Sequence, residues 1–142
     1  MGNAEFGIMK KGEDLKKRTK DFALCAIRFV ESLPSKRSLA VLSMQLLRAA
    51  TSVGANYRAA CRAKSKADFI AKLGIVEEEA DESSFWLELI EGSGLARSAE
   101  TTGLLREANE ITAITVASIN KARGSSRNSS SPRNAKPLPS AL

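Results

Sequence analysis

Proline is absent from residues 35–131, so the central part of the chain has no residue that would interrupt a long helix. Apolar residues recur there every three or four positions, and no regular segment alternates apolar and polar residues as a half-buried strand does. The chain has 142 residues, of which 43% are hydrophobic and 5% aromatic, and this is enough to bury one core. These features predict an all-α protein with a single folded domain.

The apolar spacing predicts four helices. Pro34 ends the first, Ser65 caps the start of the third, Gly92 begins the glycine-serine segment that stops it, and Gly124 closes the fourth. Four helices joined by short links favour an antiparallel up-down-up-down four-helix bundle. The predicted helices cover about residues 14–32, 39–63, 66–91 and 99–123. The predicted inward residues are Phe22, Ala26, Phe29, Leu33, Leu39, Leu42, Leu46, Val53, Tyr57, Ala60, Phe69, Leu73, Val76, Ala80, Ser83, Leu87, Leu104, Ala108, Ile111, Thr115 and Ile119.

The two ends of the chain differ from the bundle in composition. Residues 1–13 are expected to be a flexible N-terminus, and residues 124–142 a disordered basic tail rich in Ser and Pro. No apolar run approaches the ~20 residues of a transmembrane helix, and the first residues lack the apolar stretch of a signal peptide. We therefore expect a cytoplasmic protein with no membrane partner.

Charge is sorted along the chain. Residues 32–67 hold seven Lys or Arg and no Asp or Glu, whereas residues 73–96 hold seven Asp or Glu and no Lys or Arg. A basic helix beside an acidic one neutralises it within the subunit, bridges to another subunit, or leaves cationic surface for a polyanion. The sorting favours assembly or binding over catalysis.

Helices 2 and 3 each have a second apolar side, which one bundle interior does not require. We interpret this as a sign of self-association, since apolar clusters are seldom left in water on monomers. The alternative is a wider core-facing arc. Gly54 and Gly74 lie inside helices, where they are expected to allow close helix approach. The candidate interface residues are Leu47, Gly54, Ile75, Phe85, Trp86 and Leu89.

Catalytic chemistry has little support in the sequence. The chain contains no His, which removes the usual general base and His-containing metal sites. Cys25 and Cys61 are too few for an all-cysteine zinc site and are expected to be reduced, buried thiols. Glu78 and Glu82 share a helix face, but solvated or ion-paired carboxylates explain them better than a metal-dependent enzyme does. We predict a non-enzymatic protein with no cofactor and no metal.

Cations on helix 2 and after it form the candidate nucleic-acid-binding set. Such residues contact phosphates, which gives affinity that depends on salt and little on sequence. The alternative is that these cations pair with the acidic helix 3 and the chain serves as a protein-interaction scaffold with a protein partner. The candidate residues are Arg48, Arg58, Arg62, Lys64 and Lys66. Helix 1 adds four further cations to the argument, Lys16, Lys17, Arg18 and Lys20.

Several short motifs resemble a known bacterial family of four-helix bundle proteins, often labelled 23S rRNA intervening-sequence protein or S23 ribosomal protein. The resemblance covers about residues 14–123. It rests on DLK at residues 14–16, QLLRAATSVGANYRAA at 45–60, SKADFIAKLGI at 65–75 and EEADE at 78–82.

The resemblance implies an antiparallel four-helix bundle that assembles as a ring-shaped homopentamer, with no established enzymatic activity. The chain is also similar to the accessory variability protein of diversity-generating retroelements, a basic pentamer implicated in nucleic-acid and reverse-transcriptase binding. That similarity implies Arg48, Arg58 and Arg62 as nucleic-acid contacts. RNA or DNA is therefore the expected partner, besides further copies of the chain.

Overall fold

Four α-helices account for almost all of the chain that the structure, a computed structural model, describes: residues 11–96 and 98–129, with side chains at 15–96 and 99–124. They are α1 (Lys11–Ser32), α2 (Arg37–Ala60), α3 (Lys66–Gly92) and α4 (Ser98–Ser129). Each helix packs on the next, and α4 returns to α1, whereas the diagonal pairs do not meet within the described residues. The predicted all-α bundle of four helices is confirmed.

The core contains the inward residues that the sequence predicts. All of them are buried except Leu33, Leu42 and Phe69, which are half-buried and pack against its margin. Burying one large aliphatic or aromatic side chain contributes about 1.5–3 kcal/mol to folding. The hydroxyls of buried Ser83 and Thr115 donate to the backbone carbonyls of Glu79 and Ile111, at 2.8 and 2.7 Å. These polar groups therefore enter the core with their hydrogen bonds satisfied.

The contact between α1 and α4 is the least extensive of the four, and a charged cluster spans it. Arg18 donates from Nε to Glu107 Oε1 at 2.9 Å and from one terminal nitrogen to Glu107 Oε2 at 3.0 Å. The same nitrogen donates to Glu110 at 2.6 Å. The hydrogen bonds to Glu107 are the largest of several effects that raise the pKa of Arg18 above its usual range. Arg18 is thus a clamp between two helices and not an exposed cation.

The helix ends differ from the prediction mainly at the C-terminus. Gly124 does not close α4, which continues through it to Ser129. A helical glycine costs only about 1 kcal/mol relative to alanine, so a single one does not end a long helix. Gly94, in contrast, has a φ of +72° just after α3, where a left-handed residue turns the chain away. The rest of the expected tail, and most of the expected flexible N-terminus, lie outside the described residues.

Gly54 and Gly74 have different surroundings. A Cβ at Gly54 would lie 3.3 Å from the carbonyl oxygen of Thr19, so the glycine allows α1 and α2 to approach closely. A Cβ at Gly74 would meet nothing within 4 Å. The packing explanation is therefore confirmed for Gly54. No described helix of the same subunit approaches Gly74, and nothing in the structure explains that glycine.

Both cysteines are exposed, which corrects the prediction of buried thiols. Cys25 lies beside Ala26, and it is Ala26 that points into the core, so Cys25 turns toward α4. Cys61 is the first residue after α2 and faces outward. The prediction failed for the same reason at both positions. Each cysteine lies beside an apolar stripe of its helix, and the sequence does not show which side of that stripe a neighbouring helix covers.

Replacing Gly54 with leucine should destabilise the bundle, because the added side chain would collide with the backbone of α1 at Thr19. We expect the free energy of unfolding to fall by about 1–3 kcal/mol. The measurement is chemical denaturation followed by circular dichroism. The matched control is Gly103→Leu, since a Cβ at Gly103 meets nothing within 4 Å. The control should be neutral or stabilising by up to about 1 kcal/mol. Equal losses in the two variants would contradict the close approach of α1 and α2.

Candidate interaction surfaces

Three contacts between neighbouring helices fix how residues are aligned along the bundle. Gly54 of α2 lies against Thr19 of α1, and Arg48 of α2 pairs with Glu79 and Glu82 of α3. Ser84 of α3 donates to Asn109 of α4 at 3.3 Å. Because each helix is antiparallel to the next, the start of α1, the end of α2, the start of α3 and the end of α4 meet at one end of the bundle.

That end is rich in exposed cations and is called the basic end below. Asp21 and Asp68, which lie toward the same end, are each ion-paired to a lysine of their own helix, Lys17 at 2.7 Å and Lys72 at 2.6 Å. The opposite end carries both signs, including Glu31 and Arg37. Besides Lys17, which pairs with Asp21, the exposed cations of the basic end are Lys16, Arg58, Arg62, Lys64, Lys66, Lys121 and Arg123.

The short link between α2 and α3, which holds Lys64, is fixed by reciprocal hydrogen bonds. The Ser65 hydroxyl accepts from the Asp68 amide at 3.0 Å, which confirms the predicted helix cap. The Asp68 carboxylate accepts from the Lys64 amide at 3.1 Å. The hydrogen bond from Lys72, followed by that from the Lys64 amide, lowers the pKa of Asp68 below its usual value. The cations of the link are therefore carried on an ordered segment.

Arg48 is separate from the basic end. It lies midway along α2, hydrogen-bonded to Glu82 and 3.7 Å from Glu79. Its pKa is raised, chiefly by the hydrogen bond with Glu82. The indole nitrogen of Trp86 also donates to Glu82, at 3.2 Å. The structure thus brings together Arg58, Arg62, Lys64 and Lys66 of the predicted set, and engages Arg48 in charge neutralisation between α2 and α3.

Glu79 is the least solvated carboxylate of this cluster. One of its oxygens, Oε2, is buried and has no hydrogen-bond partner among the described residues. Burial raises the pKa of Glu79, although Arg48 acts in the opposite direction. Burial likewise raises the pKa of Tyr57 to about 12, so its hydroxyl stays neutral.

The predicted interface residues divide into two groups. Ile75, Phe85 and Leu89 are exposed on the outer side of α3, and Phe85 is 49% exposed. Trp86 is half-buried and meets Phe85 edge to face, with ring centroids 5.1 Å apart. Leu47 and Gly54 require a correction, because both face α1 inside the subunit, and this contact accounts for the second apolar side of α2.

Two exposed apolar residues of α2 were missed by sequence reasoning. Val41 is 62% exposed and Met44 is 73% exposed. Given the contact of Arg48 with Glu82, the antiparallel alignment puts them level with residues 85–89 of α3. The sequence did contain a signal for them. Val41 and Met44 are three residues apart and Arg48 follows four residues later, which places all three on the same outer side of α2.

A groove of about 520 Å³ runs between α1 and α4, where these helices are least closely packed. Its lining is mainly apolar and includes Phe22, Phe29 and Leu104, while Cys25 and Arg28 border it. Within the side chains that the structure describes, no three His, Cys, Asp or Glu residues are grouped to hold a metal ion. No described helix is long and apolar enough to cross a membrane.

Comparison with known proteins gives the family. The family model for 23S rRNA-intervening sequence protein matches residues 13–117, which include nearly all of α1, the whole of α2 and α3, and most of α4. The chain belongs to this family. Within it, the matched range includes every cation of the basic end except Lys121 and Arg123.

A solved relative of the family has the same fold. It is a protein of unknown function from the S23 ribosomal protein family of Bacteroides thetaiotaomicron, 32% identical in sequence, with a TM-score of 0.73. The match covers 78% of this chain and 99% of that one. No curated protein matches the chain significantly. The resemblance inferred from the sequence is confirmed. It establishes the family and the fold of the chain but gives no activity.

The lowered pKa of Asp68 predicts a specific acid sensitivity. The folded chain holds this carboxylate ionised to lower pH than the unfolded chain does. Its stabilising contribution is therefore present above the unfolded value and lost as pH falls through the folded value, below about pH 5. We expect Asp68→Asn to reduce the loss of stability between pH 7 and pH 3, measured by denaturation at each pH. Asp81→Asn, an exposed carboxylate on the same helix, is the control. If both variants change the pH profile equally, the hydrogen bonds of Asp68 are not its cause.

Proposed function

We propose that this protein is a non-enzymatic homo-oligomer that binds RNA or DNA through its basic end, with little dependence on sequence. The observation that supports this most is the convergence of exposed cations from all four helices on one end of the bundle. The proposed location is the cytoplasm. No cofactor or metal is part of the proposed activity.

Phosphate contact is the recognition chemistry that these residues favour. Lysine and arginine neutralise phosphates and release condensed counterions, so affinity falls steeply with salt. The nearest aromatic residues at this end, Tyr57 and Phe69, are buried and half-buried, which leaves them poorly placed to stack on bases. Binding along the phosphate backbone, without base readout, follows from this composition.

Self-association would strengthen such binding. Cyclic symmetry directs equivalent ends of all subunits toward the same side, so the basic ends of a ring combine into one larger cationic surface. Several weak contacts on one nucleic acid then act together, with a gain set by effective concentration. The proposed ring has five copies, as the family resemblance implies. The exposed apolar residues of α3 are the proposed source of subunit contacts.

A second candidate function is a scaffold that binds another protein. The observation that favours it is the apolar surface formed by Val41, Met44, Phe85 and Leu89, which also suits a protein partner. In that case the cations of the basic end would serve solubility and local ion pairs alone. A direct measurement of nucleic-acid affinity separates the two candidates.

The test is titration of a labelled 20-base-pair RNA duplex and a single strand of equal length, by fluorescence anisotropy at several salt concentrations. The double variant Arg58→Gln and Arg62→Gln should bind about tenfold more weakly per lost phosphate contact at 0.1 M salt. The salt slope should also fall by about one for each contact. Arg48→Gln is the matched control, since this arginine of the same helix is already paired with Glu82.

We expect the Arg48 control to change affinity far less than the double variant. No binding by the wild-type protein at low salt would overturn the nucleic-acid role and leave the scaffold. Equal effects of Arg48 and of the Arg58 and Arg62 pair would show that the basic end is not the binding surface.

A further inference from the structure

The outer face of α1 combines cations with apolar residues. Lys20, Leu24, Ile27 and Arg28 are all exposed, and they are called the α1 face below. Exposed Glu31 follows one turn after Ile27 on the same side, so the face is basic in its net charge. Neither cation forms an ion pair with another described residue. Arg28 also borders the apolar groove between α1 and α4, which adds concave apolar surface to the same side of the bundle.

The outer face of α3 has the opposite character. Exposed Ile75, Glu78, Asp81, Phe85 and Leu89 form the α3 face, where carboxylates replace the cations. Glu78 and Asp81 make no ion pair within the described part of the chain. The α3 face is therefore apolar and acidic, whereas the α1 face is apolar and basic.

The two faces cannot cover each other inside one subunit. α1 and α3 are diagonal in the bundle, and each turns its apolar stripe inward, so their outer faces point away from each other. Self-pairing is also unfavourable, because α3 against α3 would oppose carboxylates and α1 against α1 would oppose cations. The complementary partner for each face is the other face on a different copy.

Resting on the self-association proposed above, we infer that the α3 face of one copy docks on the α1 face of the next. Such an interface is head-to-tail, because the two subunits contribute different surfaces. After the first contact the pair of copies keeps one unused face of each kind, so addition continues, to a closed ring where the rotation closes and to an open filament where it does not. A symmetric dimer through either face is disfavoured, because it would set like charges against each other.

The test uses two variants that each lose one face. In the α1-face variant, Leu24→Asp and Ile27→Asp are combined; in the α3-face variant, Phe85→Asp and Leu89→Asp are combined. Each variant alone should have the mass of one chain, 15.2 kDa, by light scattering without nucleic acid. An equimolar mixture should form a 1:1 heterodimer and stop there, because one intact face of each kind remains. The control, Ala113→Asp with Ala117→Asp on exposed positions of α4, should assemble as the wild type does.

Charge exchange gives a second test that leaves the apolar residues unchanged. Lys20→Glu with Arg28→Glu, or Glu78→Lys with Asp81→Lys, should each weaken association at least tenfold. All four changes in one chain should restore it. Circular dichroism verifies that every variant is helical.

Three outcomes would overturn the inference: a monomeric wild type, continued assembly of either single-face variant, or no association in the mixture. Nucleic-acid affinity is measured separately on the same wild-type protein. Binding without the predicted heterodimer would refute the docking mode alone. The predicted heterodimer without nucleic-acid binding would refute the nucleic-acid role alone.

Discussion

Burial of one apolar stripe from each helix is the interaction on which the rest of the structure depends. A four-helix bundle has a single interior, so filling it with Phe22, Leu46, Leu87 and Ile111 determines which sides of each helix remain outside. The two outer faces and the basic end are consequences of that choice. Arg18 and Gly54 then set how closely α1 approaches its two neighbours, one through a charged clamp and the other through the absence of a side chain.

The separation of basic and acidic residues along the sequence has two consequences in the folded bundle. Midway along the bundle, basic α2 and acidic α3 neutralise each other through Arg48, Glu79 and Glu82. Farther along, the run of carboxylates in α3 has not yet begun where α2 ends. Asp68 at that point is paired with Lys72, and Arg58 and Arg62 make no ion pair within the side chains that the structure describes. An antiparallel hairpin with charges sorted in this way leaves cations at one end, and the helix period places Glu78 and Asp81 on the outer side of α3 while Glu79 and Glu82 face α2.

The core and the helix order follow from the sequence because a period of 3.6 residues defines one direction per helix. The same period does not say which flank of that stripe a neighbour covers. For this reason Leu47 and Gly54 looked available for another subunit although α1 covers them, and Cys25 and Cys61 looked buried although both are exposed. The basic end could be predicted only in part. The cations of residues 58–66 are evident from the sequence, but their position beside Lys16 and Lys121 depends on the antiparallel alignment of all four helices.

Assembly and nucleic-acid binding, as proposed, draw on the same electrostatic forces but on different residues. Salt weakens both a charge-complementary interface and phosphate contacts, so a salt titration by itself does not separate them. Position does: Arg58 and Arg62 lie at the end of α2, away from the α1 and α3 faces. Substitutions there alter phosphate contacts and leave the docking faces intact, whereas substitutions of Leu24 or Phe85 alter docking and leave the cations of the basic end in place. If subunits combine head-to-tail in a ring, every basic end lies on one side, and loss of assembly should weaken nucleic-acid binding without any change at the basic end itself.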